Sequence, residues 1–307
     1  MSATIRAGRR SVTISRPEKV LIPPDGTKAD LAGYYEAVAP AMLTHIAHRP
    51  LNFERYPDDI DGQRIFQQHA AGYFPDWIGR VTVPAARGTV QHVMAQDAAT
   101  LVYLAGQACI TFHSWLSRSD RLERPDRLVI DLDPSAGEPD EVRRAALVIG
   151  ELLRELELTP WAMTTGSRGY HVVVPLQRRL EFDAVREFAR DVAELASARH
   201  PEVFTIEQRK AKRGGKILID VQRNAYAHTS VAPYAVRARP GAPVATPLYW
   251  EELEDKGTRP HRWTLESVPG RLQDGDDPWR SLARGARSLT RARELLSQAL
   301  AESRSVR

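Results

Sequence analysis

The sequence predicts a mixed α/β (α+β) fold with a mostly antiparallel central sheet flanked by helices. Amphipathic helical segments alternate with short runs rich in β-branched and aromatic residues, and two of those runs, Trp161–Thr165 and Tyr170–Pro175, are joined as a hairpin by Gly-Ser-Arg-Gly. No repeat, long linker or low-complexity tract interrupts the 307 residues, so no clear cut point is expected. With 42% hydrophobic and 27% charged residues, the chain has the balance of an ordinary globular protein with a full core.

Taken in order, Thr27 is a plausible N-cap for a helix over 28–48, whose apolar positions Leu31, Tyr34, Val38, Met42 and Ile46 recur at helical spacing. Pro40 should bend or interrupt it. Extended pieces follow at 51–56, 64–68 and 80–83, and Asp97 then opens a second apolar helix running towards His113. Arg127–Asp133 (RLVIDLD) reads as a strand stopped by Pro134, and Asp140 opens a helix with Val142, Ala146, Ile149, Leu153 and Leu156 on one face. After the hairpin come a helix from about Asp183 to Arg199, strands at 216–222 and 230–237, and a closing helix from about Trp279 to Ser303.

No apolar run approaches the roughly 20 residues that cross a bilayer, and the start MSATIRAGRRSVTI lacks a signal-peptide core, so a cytoplasmic protein without membrane partners is expected. The single cysteine, Cys109, has no partner for a disulfide and reads as a small buried hydrophobe. A net charge of +4 permits nucleic-acid binding without demonstrating it. The cations cluster: Arg209, Lys210, Lys212, Arg213 and Lys216 share one short stretch, and Arg16, Lys19 and Lys28 surround a Pro-Pro-Asp-Gly turn. Either cluster, alone, could be a solvated loop.

Asp131 and Asp133 stand one residue apart on a strand, so both carboxylates point to one side while Ile130 and Leu132 point to the other. Such carboxylates, about 7 Å apart, suit a pair of hard cations held about 4 Å apart. A turn-forming acidic cluster before Pro134 would look the same. The stretch from Thr165 to His171 adds a glycine turn whose amides could cradle phosphate oxygens, with Arg168 supplying charge and His171 a donor; any tight hairpin could carry it. Asp220, inside the apolar run Ile217–Val221, needs a metal or an ion pair.

DLDP at 131–134, TGSRGYHV at 165–172, LID at 218–220 and VAPYAVRARPGAPVATPLYWEEL at 231–253 together resemble the motifs of the ligase D polymerase family, within the archaeo-eukaryotic primase superfamily. EKVLIPPDGTK near the start, RPLNFERYPDDIDG at 49–62 and ITFHSWLSR at 110–118 extend the resemblance over nearly the whole chain. It implies a primase-polymerase fold in a single domain, with a DNA-end-binding part at about 1–125, a catalytic part at about 126–270 and the closing helix.

The resemblance also implies that Asp131, Asp133 and Asp220 are the catalytic ligands of two Mn²⁺ or Mg²⁺ ions. His113, Thr165, Ser167, Arg168, Gly169, His171 and Arg237 would surround the incoming NTP or dNTP. Lys19 and Lys28, with Arg16, would hold a downstream 5′-phosphate, Arg213 would meet the DNA, and Phe66 would stack on template bases. Ile65 stands where a second aromatic is more typical, Arg16 where asparagine is common, and Glu54 and Gln68 where basic residues are frequent. The activity implied is template-directed extension of 3′ ends and gap filling in non-homologous end joining, at the nucleoid, with Ku and a DNA ligase as candidate partners. A nuclease using the same carboxylates to activate water, and a non-catalytic DNA-end-bridging module, are the alternatives.

Overall fold

The computed structural model of the chain describes all residues except 86, 136–138, 274 and 306–307, and the side chains at 304 and 305. The chain divides into two units. The first comprises Met1–Asp120, Thr229–Thr246 and His261–Asp277; the second comprises Arg121–His228, Pro247–Pro260 and Pro278–Arg307.

In the first unit, the strands Thr229–Val231, Cys109–Trp115, Leu51–Arg55, Thr89–Met94 and Gly79–Pro84 lie side by side in that order, all antiparallel, and Ile65–Gln67 also pairs with Leu51–Arg55. The helix Lys28–Ile46 packs on the helix Ala98–Gly106. Thr27 caps the former in a reciprocal box with Asp30. Pro40 does not interrupt that helix: it is exposed, so the carbonyl of Glu36, deprived of its intrahelical donor, can turn to water. Leu31, Tyr35, Val38 and Met42 meet a core that includes Leu101, Val102, Phe53 and Phe112, all fully buried.

Four expectations for this unit change. A hairpin of Ser2–Ala7 and Arg10–Ser15 precedes the elements read from the sequence, and the Thr89–Met94 strand was not anticipated. The helix opened by Asp97 stops at Gly106. Ala108 then takes a left-handed φ of 60°, and His113 lies on the strand Cys109–Trp115, whose β-branched and aromatic residues suit a pleated sheet. The strand expected at 230–237 covers only Thr229–Val231; Pro233 and the left-handed Tyr234 (φ 66°) end it, so Arg237 sits in a connection where its N–H donates to the Pro243 carbonyl.

In the second unit the strand order is Phe204–Thr205, Ile217–Asp220, Arg127–Pro134, Tyr170–Pro175, Trp161–Thr164 and Pro247–Leu248. Among the described strand pairings of this sheet, that of Phe204–Thr205 with Ile217–Asp220 is parallel and the other four are antiparallel. The helices Pro139–Glu155 and Phe182–Arg199 pack on this sheet. The strand expected to reach Gln222 ends at Asp220, because the Asp220 carboxylate accepts from the Gln222 N–H (2.8 Å) and turns the chain into a 3-10 helix at Gln222–Asn224. The closing helix begins at Leu289 rather than near Trp279. Trp279 is buried and donates its indole N–H to the Ala162 carbonyl (3.0 Å), while the Ser288 hydroxyl accepts from the Thr290 N–H. Among the described residues, no helix is long and apolar enough to cross a membrane.

Candidate active site

The middle of the second sheet gathers the acidic residues. Asp131 is directly opposite His171 on one neighbouring strand and Asp220 on the other, so the three side chains share one face, and alternation puts Asp133 on that face two residues further on. Asp131 Oδ1 lies 3.5 Å from His171 Nε2, and its Oδ2 lies 3.5 Å from Arg223 Nε. Burial would push the Asp131 carboxyl up, but His171 and Arg223 together hold it below its ordinary pKa. Asp133 moves the other way. Burial and the negative charges of Asp131 and Asp220 raise it, against the pull of Arg168 and Arg213. Negative potential therefore accumulates at Asp133. Among the described residues, no group of three or more His, Cys, Asp or Glu is arranged to hold a metal ion.

The 165–169 turn is locked onto this strand. A Cβ on Gly169 would lie 2.1 Å from the Leu132 carbonyl oxygen, between the two aspartates in sequence, so only glycine permits this approach. Gly166 supplies the left-handed residue (φ 62°). Thr165 Oγ1 donates to the Gly169 carbonyl (3.0 Å) and accepts from the N–H groups of Ser167 and Gly169 (both 3.3 Å). The expected phosphate cradle is thus narrowed, because two of its amides point at the turn's own threonine; the Arg168 guanidinium is near enough to Asp133 to pull on its titration.

Arg213 is held within its loop, donating from Nε to the Glu207 carbonyl (3.0 Å) and from Nη2 to the Gln208 carbonyl (2.8 Å). It shapes the basic loop, and its charge reaches Asp133.

The remaining expected residues lie in the first unit. His113, on Cys109–Trp115, has Nε2 3.4 Å from Glu54 Oε1 and meets the Phe66 ring edge to face at 5.8 Å. Sequence reasoning had read Glu54 only as a lost positive charge. The carboxylate is buried, lies 3.5 Å from Arg64 Nη1, and accepts from the Tyr56 hydroxyl at 3.3 Å. Burial alone would raise it, yet His113, Arg237 and Arg64 keep it ionised at lower pH than usual, while burial and Glu54 push the Tyr56 phenol up to about 12. Its cross-strand partner is Phe66, on the same face of the sheet, a pairing that alternation in the sequence does not supply.

Arg16, Lys19 and Lys28 converge around the turn from Val20 to Thr27. The Lys28 N–H donates to the Lys19 carbonyl (2.8 Å) and the Lys28 ammonium to the Ser15 carbonyl (3.0 Å). Lys19 Nζ donates to the Pro57 carbonyl and lies 3.6 Å from Asp58. Lys28 is buried; desolvation, followed by Arg16, Lys19 and Arg55, lowers its pKa.

Comparison with known proteins matches this architecture to one family. Residues 27–279 match the family model described as the LigD primase-polymerase domain. The multifunctional non-homologous end joining protein LigD of Pseudomonas aeruginosa is 36% identical over 282 residues, covering 91% of this chain and 34% of that protein. The corresponding DNA repair protein of Mycobacterium tuberculosis is 33% identical over 281 residues, 88% of this chain and 37% of the relative. The chain thus spans about a third of the length of these curated relatives. Among solved structures, the polymerase domain of Mycobacterium tuberculosis ligase D in complex with DNA superposes with a TM-score of 0.83 at 31% identity, over 90% of this chain and 99% of that one. Motifs, sheet topology and family match agree: the chain belongs to the LigD primase-polymerase domain family.

Proposed function

We propose that this chain is a primase-type, template-directed nucleotidyltransferase that extends 3′ ends and fills gaps in DNA during non-homologous end joining. The observation that carries the reading is the row of Asp131, Asp220 and His171 across three adjacent strands, with Asp133 beside it on the same face. An all-oxygen carboxylate set in which burial, with the neighbouring negative charges, raises the pKa of one member fits hard divalent cations, which relieve the repulsion. Asp131, Asp133 and Asp220 share one face without being drawn around a common point; closing on two such ions, Mn²⁺ or Mg²⁺, they would bring charge neutralisation to the triphosphate and activation to the attacking hydroxyl. The names of the relatives, end-joining proteins and a polymerase domain in complex with DNA, support DNA as the partner.

The chain's own groups position the reactants. Arg168 carries the fixed charge for phosphate oxygens, and His171 is steadied by its contact with Asp131. The primer 3′-oxygen bonds to the α-phosphorus as the α–β bridging bond breaks and pyrophosphate departs. Thr165, Ser167 and Gly169 shape the turn that presents Arg168, and His113 and Arg237 contribute to holding the NTP or dNTP. Phe66 stacks on template bases, Arg213 orders a basic loop towards DNA, and the cluster of Arg16, Lys19 and Lys28 receives a downstream 5′-phosphate, whose charge offsets the burial and the neighbouring cations that lower the Lys28 pKa. Ku and a DNA ligase are the proposed partners, at the bacterial nucleoid.

Incubating labelled primer-template with Mn²⁺, with and without nucleotides, tests the assignment. Nucleotide-dependent growth of the primer is expected. Shortening would identify a nuclease working with the same carboxylates, and binding without either change would identify an end-bridging module.

A further inference from the structure

The strand Ile65–Gln67 presents two different faces. Phe66 lies opposite Glu54 and against His113, whereas Ile65 lies opposite Arg55 on the other face. That second face carries Tyr73, which at 61% exposure is the most exposed aromatic ring among the described residues; Ile65 is itself 38% exposed. Tyr73 is nonetheless held at both ends. Its hydroxyl accepts from Arg55 Nη1 at 3.0 Å, and its ring meets the buried Phe74 edge to face, centroids 5.1 Å apart at 87°. Arg55 is itself fixed, donating from Nε to the Gln107 carbonyl at 2.9 Å and from Nη1 to Gln67 Oε1 at 3.4 Å. An exposed ring kept in one orientation has lost most of its rotamer freedom before any ligand arrives, which lowers the entropic cost of binding to it. Arg55 adds its charge to those of Arg16 and Lys19 at Lys28, against the opposite pull of Glu18. A fixed aromatic beside a fixed guanidinium at the edge of a basic cluster is the chemistry that recognises an unpaired base on a polyanionic strand.

We infer that Tyr73, tied to Arg55, forms a stacking platform for an unpaired nucleobase of single-stranded DNA, separate from Phe66 on the opposite face of the strand. This rests on the DNA-end reading above and adds a second base contact to it. The bond from Arg55 ties the ring to the cation, so that one base meets the ring while its phosphate meets the positive cluster. Stacking reads no sequence, because every base offers a π-face.

Equilibrium binding without nucleotide or metal isolates this contact from catalysis. Fluorescence anisotropy compares a primer-template bearing a 5′ single-stranded overhang with a blunt duplex of equal length, for the parent, Tyr73→Ala, Tyr73→Leu and Tyr73→Phe. Tyr73→Ala and Tyr73→Leu should weaken overhang binding by about tenfold and leave blunt-duplex binding unchanged, while Tyr73→Phe keeps most of the affinity. A 2-aminopurine in the overhang should be quenched on binding to the parent and not to Tyr73→Leu, which retains an apolar contact with Phe74. Equal overhang affinity in parent and Tyr73→Leu, or an equal loss for both DNAs, would overturn the inference even if the parent extends primers. A parent that binds neither DNA would overturn both the inference and the DNA-end reading.

Discussion

Gly169→Ala probes the contact that joins the phosphate-facing turn to the carboxylate strand. The added Cβ would lie 2.1 Å from the Leu132 carbonyl oxygen and 3.2 Å from its carbon, about 1.3 Å short of the 3.4 Å at which ordinary contact begins. The obstacle is backbone in the middle of a three-strand pairing, so no side chain can swing aside: either the turn lifts off or the strand between Asp131 and Asp133 moves. Overpacking of this kind costs roughly 1–3 kcal/mol, which for a unit of this size lowers Tm by roughly 3–10 °C. Activity should suffer more than stability. A displacement of about 1 Å at reacting groups costs on the order of a hundredfold in rate, so kcat/KM for nucleotide addition should fall about a hundredfold in protein that remains folded at the assay temperature. Gly33→Ala is the matched control: nothing lies within 4 Å of its Cβ, and in mid-helix alanine should stabilise by about 0.5–1 kcal/mol without touching activity. A Gly169→Ala enzyme with unchanged melting and kcat/KM within about threefold of the parent would refute the reasoning.

Asp131→Ala, Asp133→Ala and Asp220→Ala should each abolish primer extension while gel-shift affinity for DNA stays near the parent's; substantial extension by any of the three would remove it from the metal-ligand set. Arg168→Ala, His171→Ala and Arg237→Ala should raise KM for nucleotide far more than for DNA, since a charge-assisted bond to phosphate is worth roughly 1.5–3 kcal/mol; a loss confined to DNA affinity would reassign them. A 5′-phosphate on the strand downstream of a gap should tighten binding through Lys19 and Lys28, and Lys19→Ala with Lys28→Ala should erase the difference. This preference should also depend on pH. The phosphate gains its second charge above about pH 6, and Lys28 is cationic only below its depressed pKa, so the advantage should fade at a lower alkaline pH than an ordinary lysine would give, and Lys28→Arg should remove the fade. A titration showing the same alkaline limit in the parent and in Lys28→Arg would exclude Lys28 as the responsible group.

The carboxylate strand was legible because its information is local. Alternation with period two put Asp131 and Asp133 on one side, and the structure keeps that strand at Arg127–Pro134. The helix at Lys28–Ile46 was legible for the same reason, from a capping threonine and a regular apolar stripe. Failure came where local signals run on through a change of structure. The segment from Ala98 to Trp115 is mostly apolar and lacks proline; Gly106 and Gln107 mark the helix end only weakly, and the left-handed residue of the turn that divides helix from strand is an alanine, Ala108, whose identity announces nothing. The return of Thr229–Val231 to pair with Cys109–Trp115 was equally invisible, since strand pairing over such a separation is set by packing that no window of sequence contains. Register is the general form of this limit. Alternation says that Asp131, His171 and Asp220 each face one side of some strand; it does not say that the three stand opposite one another, and a slip of one residue would send any of them to the other face. Motif resemblance groups Asp131, Asp133, His171 and Asp220 as residues of one site but names no pairing; the register that sets Asp131 opposite His171 and Asp220 belongs to the folded sheet. Glu54 shows where resemblance stops. As a departure from the motif it looked like a missing cation, and only its distances to His113, Arg64 and Tyr56 show that it is a paired carboxylate around which those side chains are arranged.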